Sequence, residues 1–262
     1  MALSAAETRL AERLELLYRT YGPETAPGDP ISLVSRYAEP EDREVAGWIA
    51  SAFAYGRVET ILANVGALLA ALGDSPAREL DRIGDFRELA RERLSGFRHR
   101  FHGARDAAAL LFAIARARRE LGSLRAFFET ELRPEERDVG GLLSRVARKL
   151  VALDYRPVLR SRELPEDSPV RFFFPDPASG SACKRWNLSL RWMVRRDRLD
   201  FGLWPGIPAD RLARFDRADP VRFDYALCRI GIFGICRPEP ARSRCMECLA
   251  REACPVGRRR AA

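Results

Sequence analysis

The feature that most constrains the fold is a helical spacing of apolar residues that repeats along the chain. Between positions 45 and 53, apolar side chains recur at intervals of three and four residues, and a second such set runs from 58 to 72. This spacing places the apolar residues of each segment on one face of an α-helix. The first helix is expected to begin near Pro40, because Glu41 and Asp42 would complement the dipole of its first turn. The two segments predict a helical hairpin that breaks at Tyr55 and Gly56.

The same spacing predicts further helices within residues 1–22 and at about 84–95, 106–121, 123–132 and 138–152. Residues 154–182 are rich in proline and are predicted to form a loop. No segment has the alternating pattern that is typical of a half-buried strand. The expected fold class is therefore all-α.

Positive charge is concentrated in the last third of the chain. Residues 181–262 hold 18 basic and 9 acidic side chains, whereas residues 1–180 hold 27 and 28. A basic patch of this kind suggests a polyanionic partner, most often a nucleic acid. Only Lys149 and Lys184 among the 45 basic residues are lysines, a bias that a GC-rich genome would produce.

A turn that contains Gly180 leads into a helix that Lys184 opens. Ser179 or Ser181 is expected to cap this helix, and Gly180 to allow its tight entry. The free backbone N–H groups of such a helix start, beside Gly180 and Ser181, could bind a phosphate. Arginine can replace lysine where only charge matters, but not where a primary amine must form a Schiff base. Lys184 is thus a candidate nucleophile.

The spacing along this helix also predicts a basic stripe. Asn187, Arg191 and Arg195 follow Lys184 at helical intervals and share its face. Such a stripe would follow a nucleic-acid backbone electrostatically. The alternative is a surface helix that happens to be basic in an arginine-rich chain.

All six cysteines lie in the basic third of the chain. In a reducing compartment a clustered set indicates a metal site more often than disulfides. Four of them form the candidate ligand set of a metal loop at 228–256: Cys236, Cys245, Cys248 and Cys254. They could hold a zinc ion or a 4Fe–4S cluster, and one Cys-x2-Cys pair flanked by single cysteines favours the iron–sulfur cluster. Cys183 and Cys228 are predicted to be small buried hydrophobes.

The loop between the first two of these cysteines carries Arg237, Arg242 and Arg244. These arginines are candidate phosphate contacts, and they could equally offset the negative charge of a thiolate-bound cluster.

Two other features have structural interpretations. His99 and His102 lie in a loop-like stretch without carboxylate neighbours, which is typical of a solvated or capping pair rather than a metal site. Phe172, Phe173 and Phe174 form an aromatic run that we interpret as core packing rather than as a platform for base stacking.

No segment of the chain suggests a membrane span. The longest run without a charged residue is 14 residues, whereas a spanning helix needs about 20 apolar residues. The N-terminus lacks the basic start and apolar core of a secretory signal. We expect a cytoplasmic protein.

Lys184 in its helix-opening turn, together with the C-terminal cysteine spacing, resembles the helix-hairpin-helix DNA glycosylase superfamily. The cysteine spacing is similar to the iron–sulfur loop of endonuclease III and the adenine glycosylase. A closer resemblance, over most of the chain, is to an uncharacterised bacterial family of unknown function. Its members carry segments similar to residues 54–58, 183–195 and 215–227, and an Asp-Pro-Ile near Asp29.

The resemblance implies a single all-α domain over residues 1–262, with two lobes that bind DNA in the cleft between them. It also implies DNA repair by base excision, with glycosylase and AP-lyase activity on a base flipped out of the stack. Lys184 would attack the sugar C1′ and a downstream aspartate would assist. Tyr55 and Arg57, in one of the shared segments, are candidate nucleic-acid contacts.

The chain departs from the family pattern after Pro208. An Asp-x-His segment and two helices of the relatives are missing near 208–215, and the expected catalytic aspartate is missing with them. Asp210 and Asp216 are possible substitutes, although no motif supports either. A degenerate member that binds DNA without cleaving it, a gene with an internal deletion and a rewired active site all fit this departure. The alternative outside this class is a zinc-stabilised interaction module. A monomer is expected in each case.

Overall fold

A computed structural model describes residues 5–22, 28–212 and 224–261. The chain divides into two compact units. Met1–Thr25 and Arg214–Ala262 form the terminal unit, and Ala26–Ala213 form the central unit. The described residues are mostly helical, which confirms the all-α class. The cleft between two lobes stays a prediction.

The central unit consists of helices of different lengths and a small β-hairpin. Its helices are α2 (Ile31–Val34), α3 (Pro40–Ala52), α4 (Val58–Leu72), α5 (Pro76–Arg82), α6 (Phe86–Arg91), α7 (Ala104–Leu121), α8 (Leu124–Glu129), α9 (Gly140–Val151) and α10 (Lys184–Val194). Its two strands are β1 (Arg98–His99) and β2 (His102–Gly103), which pair antiparallel. The terminal unit contains α1 (Ala5–Thr20), α11 (Asp224–Ile232) and α12 (Pro255–Ala261).

The predicted helical hairpin is confirmed. Helix α3 ends at Ala52, the chain turns through Gly56 at φ +104°, and α4 begins at Val58. The apolar positions that defined the first segment, among them Val45 and Ile49, are fully buried. The predicted loop at 154–182 contains only short 3₁₀ turns at Pro169–Phe173 and Pro177–Ser179.

Helices α3 and α7 form the centre of the core of the central unit. Helix α3 packs against α10, and Gly47 lies so close to Met193 that a Cβ at position 47 would overlap its methyl group. Trp48 contacts Trp186 of α10, with ring centroids 5.7 Å apart. Helix α7 packs against α6 and α8 through its continuous alanine-rich buried face. The small residues allow the helices to approach closely, so this packing holds α10 in place.

A buried carboxylate joins three parts of this core. Glu44 accepts hydrogen bonds from the Trp204 indole N–H at 2.9 Å and from the backbone N–H of Leu124 at 3.1 Å. It thereby satisfies the free N–H groups at the start of α8. Burial raises the pKa of Glu44, against the lowering effect of these hydrogen bonds.

Within the described residues, no single helix is long and apolar enough to cross a membrane. Helices α4 and α5 meet that length and composition test only as a pair, bent by 58°. The apolar residues of α4, among them Val65 and Leu68, are buried inside the protein.

The terminal unit is built on a contact between its first and its later helices. Leu17 of α1 is fully buried against Ala226 and Ile230 of α11. Cys248 and Leu249 pack against the same group of side chains. Helix α1 is therefore part of the core that supports the cysteine segment.

Candidate nucleic-acid interface and cysteine cavity

Lys184 is exposed in the first turn of α10, as predicted. The predicted serine cap is wrong, because Cys183 occupies the N-cap position at φ +47° and no side chain caps the helix. The Ser181 hydroxyl accepts from the backbone N–H of Cys183 at 3.2 Å, and Ser179 is engaged with Asp176. Gly180 has φ +84° and provides the tight entry that its sequence position suggested. The left-handed Cys183 turns the chain so that Lys184 points to solvent.

The prediction of an exposed basic stripe is wrong at Arg191 and Arg195. Both side chains are buried, and both form ion pairs with Asp200. Arg195 also contacts Asp197 at 3.0 Å. The turn that follows α10 supplies these carboxylates, so this end of the helix face is neutralised inside the protein. The pKa of Asp200 is raised by burial to about 6, against the lowering effect of its two arginines.

Arg185, the residue after Lys184, belongs to a partly exposed aromatic surface, which we call the Tyr55 face. It consists of Tyr55, Phe101, Phe172 and Arg185. The rings of Tyr55 and Phe172 lie 5.0 Å apart, and those of Phe101 and Phe172 lie 5.1 Å apart. The Arg185 guanidinium lies 3.7 Å from the Phe172 ring centroid and 5.4 Å from that of Tyr55. Phe101 is 52% exposed and Phe172 37%, which is a large apolar area to leave in water.

The aromatic run at 172–174 therefore has two roles. Phe173 and Phe174 are buried, as predicted, whereas Phe172 lies on the Tyr55 face. The core interpretation is confirmed for the first two residues and wrong for Phe172.

The two histidines are fully buried beneath the Tyr55 face, so the prediction of a solvated pair is wrong. His102 Nε2 lies 2.9 Å from the Pro169 carbonyl and His99 Nε2 lies 2.9 Å from the Tyr55 carbonyl. A carbonyl only accepts, so Nε2 carries the proton in both rings. Nδ1 of His102 then accepts from the Tyr55 hydroxyl at 2.5 Å, and Nδ1 of His99 accepts from Asn64 at 3.0 Å.

Burial lowers the pKa of both histidines, so the neutral form of each ring is favoured. Burial also raises the pKa of Tyr55 to about 12, which keeps its hydroxyl protonated as a donor. These hydrogen bonds connect the β1–β2 hairpin to two distant segments of the chain. Phe101, at the turn between the strands, is therefore presented on a fixed support.

Four exposed cations lie within three residues of the Tyr55 face along the chain. Arg57, Arg98, Arg100 and Lys184 are exposed, and none of them forms an ion pair with another residue that the structure describes. Arg100 adopts φ +54°, and its aliphatic chain lies over Gly56. Sequence reasoning identified Tyr55 and Arg57 but missed the hairpin. The Arg-His-Arg-Phe-His spacing was the available signal.

Lys184 has no carboxylate partner in the part of the central unit that the structure describes. No Asp or Glu of residues 28–212 forms a hydrogen bond or ion pair with its ammonium group. Asp210 is exposed in the short turn Ala209–Arg211, whose arginine contacts the carbonyls of Arg133 and Pro134. Asp216 lies outside the described residues, as do residues 213–215 of the segment near 208–215. Asn187 uses its side-chain amide to bond the Ala182 carbonyl at 3.2 Å.

The four candidate ligands line one cavity of about 230 Å³ in the terminal unit: Cys236, Cys245, Cys248 and Cys254. Arg237 and Arg251 also line it, and no carboxylate does so among the described residues. Burial raises the pKa of the Cys248 thiol, and the other three cysteines raise it further. As the side chains stand, no three His, Cys, Asp or Glu residues in the described ranges form a group that could hold a metal ion.

The remaining two cysteines differ in burial, and the loop arginines Arg242 and Arg244 differ in their contacts. Cys183 is buried, as predicted, but Cys228 is exposed on α11, so its prediction as a buried hydrophobe is wrong. Arg244 is ion-paired with Glu247 at 2.8 Å, whereas Arg242 is exposed and does not line the cysteine cavity.

The fold and these sites define a mostly helical protein with an aromatic, cationic surface in one unit and a cavity lined by four cysteines in the other. The chain belongs to the family described as "Protein of unknown function (DUF2400)", whose model matches residues 29–214. The Tyr55 face and Lys184 lie inside the matched segment, and the four cysteines lie outside it. Comparison with curated proteins and with solved structures gave no match.

Proposed function

We propose that this chain is a DNA-binding protein that contacts unstacked bases with the Tyr55 face and the phosphate backbone with the surrounding cations. The observation that carries the proposal is the exposed Phe101 and Phe172 rings beside the stacked Arg185. Proteins that bind unpaired nucleotides combine aromatic rings with a basic surface in this way, and each stacked base contributes about 1–3 kcal/mol.

The surrounding charges support the same partner. Arg57, Arg98 and Arg100 carry no ion pair with a described residue, so their charge is available to phosphates. Each phosphate contact releases counterions, which makes binding weaken as salt rises. The alternative, a non-catalytic protein-interaction module, would not require this combination of free cations and exposed rings.

Phe101→Ala tests the proposal. We expect the affinity for fluorescently labelled single-stranded DNA, and for a duplex with an unpaired base, to fall about 5- to 150-fold, the equivalent of one stacked base. Leu121→Ala is the matched control, because Leu121 is 42% exposed at the C-terminal end of α7, whereas the hairpin that carries Phe101 adjoins the N-terminal end of that helix. Unchanged affinity of the Phe101 variant at fixed salt would overturn the proposal, as would the absence of any binding at low salt.

We also propose that Cys236, Cys245, Cys248 and Cys254 hold a 4Fe–4S cluster. The residue types fit such a group, and all four line one cavity that no described carboxylate enters, although the four side chains would have to turn toward one another to bind it. The cavity of about 230 Å³ is far larger than the ~10–15 Å³ that one water requires. This size suits a cluster of several atoms better than a single zinc ion, which four sulfurs would enclose at about 2.3 Å.

When bound, the cluster would supply a rigid covalent anchor for the loop and a one-electron redox centre. Iron and sulfide analysis of anaerobically purified protein, with an absorption band near 400 nm, tests the assignment. A colourless protein with one zinc ion per chain would refute it.

A second proposal concerns chemistry at Lys184. Lys149, the other lysine, is ion-paired with Glu131 at 2.6 Å and with Glu120 at 3.4 Å. Lys184 has no such described partner, so a structural ion pair accounts for one lysine and not for the other. We propose that the Lys184 amine attacks the C1′ aldehyde of an abasic site, with loss of water, to form the imine of an AP lyase.

Borohydride trapping tests this step, because hydride reduces the imine to a stable amine. We expect Lys149→Arg to trap abasic DNA like the wild type and Lys184→Arg to form no adduct. An equal adduct in both variants would exclude Lys184 as the nucleophile. That result would not contradict the separate proposal that the chain binds DNA. The cytoplasmic location and the monomeric state stay predictions.

A further inference from the structure

We propose that Arg237 and Arg251 are the counter-charges of the metal cluster and set its reduction potential. This inference rests on the proposed 4Fe–4S cluster. It assigns two of the arginines in the basic last third of the chain to the cysteine cavity rather than to DNA.

The first support is the position of the two residues. Both line the cavity together with the four cysteines. Neither forms an ion pair with a residue in the described ranges, and the Arg251 guanidinium donates to the Met246 sulfur at 3.7 Å. No carboxylate of the described residues therefore neutralises their positive charges.

Two glycines leave room for these arginines. Gly234 has φ +68°, and a Cβ there would come within 2.5 Å of the Arg237 guanidinium. Gly257, in the first turn of α12, would place a Cβ 2.9 Å from the Arg251 carbonyl oxygen. The backbone approaches both arginines more closely than a residue with a side chain would permit.

The electrostatic argument follows from the cavity. Four thiolates that line one cavity repel one another, so positive charge close to them is stabilising. A nearby cation also stabilises the more negative, reduced state of a cluster, so it raises the reduction potential. Removing either arginine should therefore shift the potential to more negative values.

Other arginines of the same loop provide the contrast. Arg244 is already neutralised by Glu247, and Arg242 is exposed and does not line the cavity. Arg242→Gln removes the same charge from the same loop and is the matched control.

The test uses the full chain purified anaerobically with its cluster. Iron and sulfide per chain and the midpoint potential are measured for the wild type, Arg237→Gln, Arg251→Gln and Arg242→Gln. We expect a negative shift for the first two variants and none for Arg242→Gln. Equal potentials in all four proteins at full iron content would overturn the inference while leaving the cluster assignment intact.

Loss of the cluster from Arg251→Gln is also informative, because Arg251→Lys keeps the charge. If Arg251→Lys retains the iron that Arg251→Gln loses, the result supports a counter-charge. If both variants lose iron, Arg251 only supports the fold and the inference is overturned. A wild-type protein without iron would instead refute the cluster assignment, and the inference would fall with it.

Discussion

The two buried histidines should make the stability of the central unit depend on pH. Burial lowers the pKa of both in the folded protein, which favours the neutral form of each ring. In the unfolded chain their pKa is about 6.5. The unfolded state therefore binds more protons as the pH falls, so stability is complete above about pH 6.5 and is lost below it.

The surrounding groups favour this direction. The charge of Arg100 lowers the pKa of His99. The charges of Arg185 and His99 lower the pKa of His102, and Asp106 is the one charged group among these that raises it. If Asn64 rotated its amide to accept from a protonated His99, it would lose the hydrogen bond that its Nδ2 group donates to the Arg98 carbonyl at 3.0 Å.

The magnitude follows from linkage. When the pH falls from about 7.5 to about 5.5, each histidine that stays neutral in the folded state lowers the free energy of unfolding by about 1.4 kcal/mol. The pair lowers it by at most about 2.7 kcal/mol. Asp200 and Glu44, whose pKa values are raised in the folded state, shift stability in the opposite direction. The change in unfolding free energy with pH is therefore compared between the wild type and a variant that lacks both histidines, because the contributions of Asp200 and Glu44 cancel in that comparison.

The variant is His99→Gln combined with His102→Gln, and the assay is urea unfolding at both pH values and constant ionic strength. Tryptophan fluorescence is the readout, because all four tryptophans lie in the central unit. We expect the variant to be less stable at pH 7.5 and to lose less stability on acidification. Equal pH dependence of the two proteins, or nitrogen NMR shifts that show either ring protonated at pH 6.5, would refute the reasoning.

Three further predictions follow from the packing. Leu17→Ala should destabilise the terminal unit by about 2–5 kcal/mol, since it leaves a cavity against α11; retained iron at elevated temperature would contradict this. Gly47→Ala should cost about 1–3 kcal/mol, because the methyl group overlaps Met193, and an unchanged urea midpoint would argue against the close approach of α3 and α10. Trp204→Phe should cost about 1–3 kcal/mol in the same urea assay, because it removes a donor from the buried carboxylate of Glu44.

The sequence was sufficient for the features that depend on neighbours along the chain. The apolar spacing of α3 and α4, the break at Gly56 and the opening of α10 at Lys184 are all local, and each was predicted. The cysteine spacing likewise identified four residues that line one cavity. Each of these depends on residues within a few helical turns, where periodicity and spacing are informative.

The burial of the histidines depends on partners far along the chain. Tyr55 is 47 residues from His102, and Pro169 is 67 residues from it. No periodicity records such pairings, so a polar pair in a loop was assigned to solvent. Arg191 and Arg195 are a different case, since Asp197 and Asp200 follow within nine residues of both arginines. Helical spacing alone ignored these carboxylates because they lie beyond the end of α10.

The charge asymmetry of the chain shows why a segment count is a poor guide to an interface. Residues 181–262 hold the whole excess of positive charge, yet Arg191 and Arg195 are neutralised in the core and Arg237 lines the cysteine cavity. Arg57, Arg98 and Arg100 around the Tyr55 face come instead from residues 1–180, whose net charge is −1. Pairing and burial, rather than the sum of charges, determine which cations can reach a phosphate. The salt dependence of DNA binding should therefore fall by about 0.7–0.9 in slope for each of these three arginines that is replaced by glutamine, and replacing Arg237 should leave it unchanged.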